Sequence, residues 1–180
     1  MKKIAVIQDL SGLGKCSLTA AIPVLSVMGV QAVPLPTAVL SNQTGYPSYY
    51  CDNYTEHMEQ IMDEWEKSVG FSPDGIYTGF LADEEQADKI LDFLRRFRKR
   101  RPWYWWIRLW EIMAMLMEFI QKVCEEKMLQ LVGNAHVITP NLTEALLLFI
   151  WERRDGKDVP AFWNWMEGKG WNRSERLGSS

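Results

Sequence analysis

Three short segments carry side chains whose types and spacing could do chemistry. The first is Ser41-Asn42-Gln43-Thr44-Gly45-Tyr46, which sets side-chain donors and acceptors beside a glycine. Such a loop can hydrogen-bond a small heterocycle, and it can equally be an ordinary turn. The second is Thr139-Pro140-Asn141-Leu142-Thr143-Glu144. Asn141 reads as a helix N-cap, and Glu144 three residues later completes a capping box with Asn in place of Ser or Thr. On a functional reading, the Glu144 carboxylate holds Mg²⁺ directly or through water beside a nucleotide. The third is Gly12-Leu13-Gly14-Lys15, which looks phosphate-like. It lacks the spacing and the following Ser or Thr of a P-loop, so a tight strand-to-helix turn is the better reading. Ser11 beside it offers a hydroxyl to a polar ligand at a strand end.

The elements that must position these segments can be read from apolar periodicity and breakers. Residues 3–7 form a buried strand, 11–15 a glycine-containing turn and 16–28 a helix, with Pro23 a kink or a shifted start. A second short strand covers 30–33. The stretch 34–53 reads as loop, broken by Pro34, Pro36, Gly45 and Pro47. Residues 54–68 form an amphipathic helix with Met58, Ile61, Met62 and Trp65 on one side. A short strand follows over 75–77, ending at Thr78 and Gly79. Next comes a helix over 83–100, acidic in its first turn and basic in its last, as the helix dipole favours. Its stripe is Ile90, Leu91, Leu94 and Phe97. A helix over 123–132, a strand over 136–139 and a helix from 140 to 148 complete the pattern. Alternating strands and helices imply a parallel sheet and a layered α/β fold. Ligands in such sheets bind at the carboxyl ends of the strands. The turns 8–14, 36–46, 78–81 and 139–144 are therefore the candidate functional turns.

Composition narrows the function classes. A chain of 180 residues can build one domain with a real core. Its net charge of −3 indicates no basic surface for nucleic acid. The basic run 95–101 reads as a helix C-terminus instead. Cys16, Cys51 and Cys124 show no metal-ligand spacing and suit free thiols in a reducing cytosol. The N-terminal apolar run stops at Gln8 and Asp9, too soon for a signal peptide.

One stretch does not fit its surroundings. Residues 103–119 read WYWWIRLWEIMAMLMEF and hold four of the nine tryptophans, whereas the preceding hundred residues hold only Trp65. The run has about the length of a short membrane span. Arg108, Glu111 and Glu118 interrupt it, and a charge such as Arg at a span centre costs roughly 2.5–3.5 kcal/mol on insertion scales, which argues against a membrane helix. Composition shifts again from Trp151 onward, and residues 150–180 are expected to form a poorly ordered tail.

Taken together, QDLSGLGKCSLTAAIPVLSVMGVQAVPLPTAVLSNQTGY, IYTGFL and VITPNLTEALLL resemble the pyridoxal (pyridoxine, pyridoxamine) kinase family of the ribokinase-like superfamily. The resemblance runs from residue 1 to about 99 and from about 124 to 148. It implies a three-layer α/β sandwich with a mostly parallel central sheet, incomplete at the C-terminus. The partial domain would cover 1–149, with 103–121 anomalous. The implied activity is ATP-dependent phosphorylation of the 5′-hydroxymethyl of a vitamin B6 vitamer, with Mg²⁺, by a cytoplasmic enzyme that is usually a homodimer. Ser11 and Thr44 would contact the pyridine substrate, and Gly45 would let the backbone approach it. Tyr46 and Phe80 would border the pocket. Thr139, Asn141 and Glu144 would serve the ATP–Mg²⁺ side. Gln43 stands where many relatives have His, which leaves the vitamer open. A hydroxymethylpyrimidine kinase of the same superfamily and a non-catalytic fragment are the alternatives.

The family also carries a strand followed by a motif like Val-Asp-Pro-Val-Met-Gly-Asp-Asn-Gly, and later a Gly-x-Gly-Asp motif whose Asp resembles a general base. Neither is present in this sequence. The genetic code accounts for the first absence. Residues 105–114 can be written TGG TGG ATC CGG TTA TGG GAG ATA ATG GCA. Joining the last base of each codon to the first two of the next gives GTG GAT CCG GTT ATG GGA GAT AAT GGC. That reads Val-Asp-Pro-Val-Met-Gly-Asp-Asn-Gly. Trp and Met have single codons, so several steps are forced. The anomalous run is thus read as an out-of-frame translation of the missing motif, with the frame restored before about Cys124. A second shift near Phe149 turns residues 149–154 into Leu-Tyr-Gly-Lys-Glu-Gly and puts the tail out of frame. Sequencing the gene tests this reading: its codons for 105–114 are expected to yield the nine-residue motif in the shifted frame. Codons that cannot be re-read in this way would sink it.

Overall fold

The computed structural model describes residues 1–97, 104–107 and 122–140. The helix expected over 140–148, the tail 150–180 and most of the anomalous run 103–121 lie outside them. The order is β1 (Lys3–Leu13), α1 (Ser17–Val27), β2 (Gln31–Asn42), β3 (Cys51–Asn53), α2 (Thr55–Glu64), β4 (Gly75–Thr78), α3 (Glu85–Phe97), β5 (Tyr104–Ile107), α4 (Lys122–Asn134) and β6 (Val137–Ile138). The six strands form one sheet in the order β3-β2-β1-β4-β5-β6. All neighbours are parallel except β2 and β3. This is the three-layer α/β arrangement expected from the sequence, with its sheet mostly parallel.

Both faces of β1 are covered, which explains its unbroken apolar run. Val6 packs with Leu18 and Ala21 of α1 on one face. Ala5 and Ile7 join the opposite core, built from α2, α3, α4 and the strands. There α3 contributes Ala87, Ile90, Phe93, Leu94 and Phe97, the three-and-four spacing of a buried helical stripe. Phe93 and Phe97 stack at 4.6 Å between ring centres, and Trp65 meets Phe93 edge-on at 6.4 Å. The outer rim of α3 is tied to its neighbours by ion pairs. Arg96 reaches Asp63 and Glu66, Lys89 reaches Glu59, and Lys127 reaches Asp88. Partly exposed pairs of this kind contribute only about 0–1 kcal/mol each.

Several boundaries differ from the sequence reading. β1 runs on to Leu13, through most of the turn expected over 11–15. β2 continues through Pro34 and Pro36 to Asn42, where a loop was expected over 34–53. The reason lies in its edges. One side of β2 pairs with β1 along nearly its whole length. Pairing with β3 on the other side is confined to Ala38–Leu40. Beside Pro34 and Pro36 that outer edge has no strand among the described residues, so the missing N–H groups interrupt no ladder. Pro23 sits on the exposed side of α1 and does not end it. The helix expected over 54–68 is α2, continued by a π-helical turn at Trp65–Val69.

The tryptophan-rich run supplies β5. Tyr104–Ile107 pairs in parallel with Gly75–Thr78 on one side and with β6 on the other. Aromatic and β-branched residues favour strand geometry, and ladder hydrogen bonds use only the backbone, so this run can hold a central strand position. No helix among the described residues is long and apolar enough to cross a membrane.

The core on the α3 face depends on Phe93, which is fully buried. Phe93→Ala is expected to lower unfolding stability by about 3–5 kcal/mol, read from the urea midpoint. A change under about 1 kcal/mol would mean that this aromatic cluster does not organise the core.

Candidate ligand site at the carboxyl edge of the sheet

Because β1, β2, β4, β5 and β6 run parallel, their carboxyl ends line one edge of the sheet. Ser11, the 42–46 loop, Phe80 and Thr139 all lie at that edge. Ser11 stands in register with Leu40 of β2, and Leu40 with Cys51 of β3. Leu40 packs with Ala38 and Phe80. Through Leu40, the structure brings Ser11 and Phe80 into one neighbourhood.

Ser11 is buried, and its hydroxyl donates to Asp9 Oδ2 at 2.7 Å. That bond uses the one hydrogen of the hydroxyl, leaving Ser11 Oγ to act as an acceptor. Asp9 and Gln8 are themselves buried. Asp9 Oδ1 and Gln8 Nε2 have no hydrogen-bond partner among the described groups. An orphaned buried polar atom typically costs about 1–3 kcal/mol, so two on adjacent residues of β1 are a notable concentration. Both fall within the candidate turn 8–14, where the sequence pointed to Ser11 and not to them as a ligand contact. The signal for them was an acid and an amide directly continuing the buried run Ile4–Ile7, where polar residues are unusual.

Two glycines allow the strands to close around this end. A Cβ on Gly79 would sit 2.9 Å from Gln8 Cγ, and Gly79 N–H donates to Ile7 O at 3.0 Å. A Cβ on Gly12 would sit 2.9 Å from Ser41 O. Gly12 is thus demanded by the approach of β1 to β2. The turn reading of the Gly12–Lys15 segment is borne out only in its second half, after the strand ends at Leu13.

The loop after β2 is anchored rather than free. Gln43 N–H donates to Leu13 O at 3.0 Å, and Tyr46 N–H to Gln43 O at 3.3 Å. Asn42 Nδ2 donates to Ser48 O at 3.0 Å. Thr44 is half-buried, whereas Gly45 and Tyr46 are exposed. Around Gly45 a Cβ would meet nothing closer than Gln43 Nε2 at 3.9 Å, so this side of the loop is open.

The loop after β4 is held by a buried polar network. Thr37 Oγ1 donates to Phe80 O at 2.9 Å. Gln86, fully buried, accepts from Ala82 N–H at 2.8 Å and donates through Nε2 to Thr37 O at 2.7 Å and Thr55 Oγ1 at 2.8 Å. Asp83 accepts from Gln86 N–H at 2.9 Å and from Asn53 Nδ2 at 2.5 Å. Burial pushes the Asp83 carboxyl up, but hydrogen bonds from Asn53, Thr55 and the backbone of Gln86 and Glu85 outweigh it and hold it below its ordinary value. Asp83 therefore stays ionised at neutral pH as the acceptor hub of the network. Burial, then the carboxylates of Asp52 and Asp9, pushes the Cys51 thiol up, which disfavours a reactive thiolate there.

Thr139 follows β6 and is half-buried. With β4 and β5 between β6 and β1, it stands about 14 Å from the Ser11 strand at the usual strand spacing. Asn141 and Glu144 lie outside the described residues. Among the described residues there is no group of three or more His, Cys, Asp or Glu side chains that could hold a metal ion. The described residues alone do not make a Mg²⁺ site.

No protein-family profile matches the chain. Over 83 residues it is 31% identical to the pyridoxal kinase PdxY of Proteus mirabilis, covering 44% of this chain and 28% of that protein. The fold matches a candidate phosphomethylpyrimidine kinase from Bacteroides thetaiotaomicron at TM-score 0.74 and 40% identity, over 83% of this chain and 51% of that one. A second crystal form of that protein, with pyridoxal, matches at TM-score 0.71 and 39% identity, over 83% of this chain and 52% of that one. Pyridoxal kinase from Lactobacillus plantarum matches at TM-score 0.71 and 26% identity, over 82% of this chain and 52% of that one. The chain spans about half the length of these solved structures and less of the curated relative. In fold and sequence it is similar to ribokinase-like pyridoxal and phosphomethylpyrimidine kinases.

Proposed function

We propose that this chain presents the vitamer-binding side of a pyridoxal kinase site and transfers phosphate weakly or not at all. The observation that supports the reading is that Ser11, the loop holding Thr44, Gly45 and Tyr46, and Phe80 all lie along the carboxyl edge of β1, β2 and β4. In this reading Ser11 Oγ and Thr44 face the pyridine, Gly45 leaves room for it, and Tyr46 and Phe80 flank its ring. A relative 39% identical was crystallised with pyridoxal, which supports a B6 vitamer as the ligand. Thr139, Asn141 and Glu144 would serve ATP and Mg²⁺. Free thiols at Cys16 and Cys51 suit a cytoplasmic setting.

The doubt about turnover rests on chemistry. Transfer from ATP to a hydroxymethyl group needs a base for the hydroxyl proton and donors for the phosphoryl oxygens. The acidic motif expected at 105–114 is replaced by WWIRLWEIMA, which lacks both of its aspartates. A shifted reading frame at 105–114 would remove those acidic side chains while leaving the flanking segments family-like.

A second reading, hydroxymethylpyrimidine as the ligand, is favoured by the phosphomethylpyrimidine kinase name of the 40% identical neighbour. One set of measurements separates the readings. Thermal shift of the purified 180-residue chain is expected with pyridoxal, little with hydroxymethylpyrimidine and little with ATP–Mg²⁺. A larger shift with hydroxymethylpyrimidine would exchange the ligand assignment, and no shift with either would remove the binding role. ATP-dependent phosphorylation of pyridoxal at a rate near that of an intact relative would overturn the claim of weak turnover.

A further inference from the structure

Gln86 is chemically well placed to govern a site that it does not touch. It is fully buried in the first turn of α3 and carries no contact to Ser11, Thr44 or Tyr46 among its hydrogen bonds. Its two ends bind two different parts of the fold. The carbonyl end accepts from Ala82 N–H, inside the loop that follows β4. The amide end donates to Thr37 O of β2 and to Thr55 Oγ1 at the start of α2. Thr37 then closes the circuit, because its hydroxyl donates to Phe80 O in the same loop. The loop is thus pinned at Phe80 and at Ala82 to a single residue of β2, directly or through Gln86. Its ring-bearing residue, Phe80, packs on Ala38 and Leu40, the stretch of β2 beside Ser11.

We propose that Gln86 and Thr37 are positioning residues for the vitamer pocket, fixing the Phe80 ring through the backbone of the 79–83 loop. The inference rests on the vitamer reading above and adds the residues that set the pocket wall. The side-chain chemistry is specific. A glutamine can accept from one backbone amide and donate to a carbonyl at the same time, which neither Leu nor an ionised Glu can do. Elsewhere on α3 the buried positions are apolar, so a buried amide at this position serves the loop rather than the core.

The test is pyridoxal binding by calorimetry, with folding checked by circular dichroism and urea midpoint. Gln86→Leu and the milder Thr37→Val are each expected to weaken pyridoxal binding roughly three- to tenfold, the range set by one or two buried hydrogen bonds. Thr37→Ser, which keeps the hydroxyl, should restore most of the wild-type affinity. Combined with Phe80→Ala, either change should add little further loss, because both act through the same ring. A general loss of stability would instead add to the Phe80→Ala effect. If Gln86→Leu does not fold, Thr37→Val with its serine rescue decides the matter. Wild-type binding together with unchanged affinity in the folded variants, or fully additive losses, overturns the positioning role alone. No saturable pyridoxal binding by the wild-type chain overturns both the role and the vitamer reading.

Discussion

β1 is hydrogen-bonded to β2 along one side and to β4 along the other, and its residues Ala5, Val6 and Ile7 are fully buried. Much of the candidate site is referred to this one strand. Ser11 and Asp9 lie on it, the 42–46 loop is anchored to its last residue, and Gly79 folds against Gln8. Two-sided parallel pairing fixes the depth of each strand relative to its neighbours. Helices cover both faces of β1, so the strand cannot slip without moving apolar side chains out of the core. The polar end of β1 is therefore presented at a defined height, where the two adjoining loops meet it.

Much of this was legible in the sequence because the signals were local. The run Ile4–Ile7 announced a buried strand, and the spacing of Ile90, Leu94 and Phe97 with charged ends announced α3. Thr78 and Gly79 marked a strand end correctly. What the sequence hid depends on partners far along the chain. Proline argued against β2 until its bare outer edge was visible. Gln86 looked like one more polar residue in a helical first turn, yet its partner Thr37 lies 49 positions away. Asp9 gives no local sign that Ser11 would direct its hydroxyl proton to it. The chemistry-bearing residue types were visible, and the hydrogen bonds that hold them were not.

The tryptophan-rich run separates two kinds of information that a strand normally carries together. Backbone pairing asks for extended, β-favouring residues, and Tyr104–Ile107 meets that requirement between β4 and β6. Ligand chemistry asks for particular side chains immediately after the strand, and there the sequence departs from the family pattern. A fold can thus keep its layer order while the residues after a strand change, because the sheet is specified redundantly by many residues and the chemistry by few.

The far edge of the sheet shows how the fold limits its own growth. β3 is three residues long, antiparallel and exposed at every position, with Asp52 at its centre. A strand so short offers a further chain segment few hydrogen bonds to complete, and an acidic residue there repels a like copy of itself. Had β2, with its twelve residues, stood uncovered along its whole carboxyl half, it would have offered a much longer template for joining molecules edge to edge. The small antiparallel strand shields part of that half and leaves on the rim a surface poorly suited to aggregation.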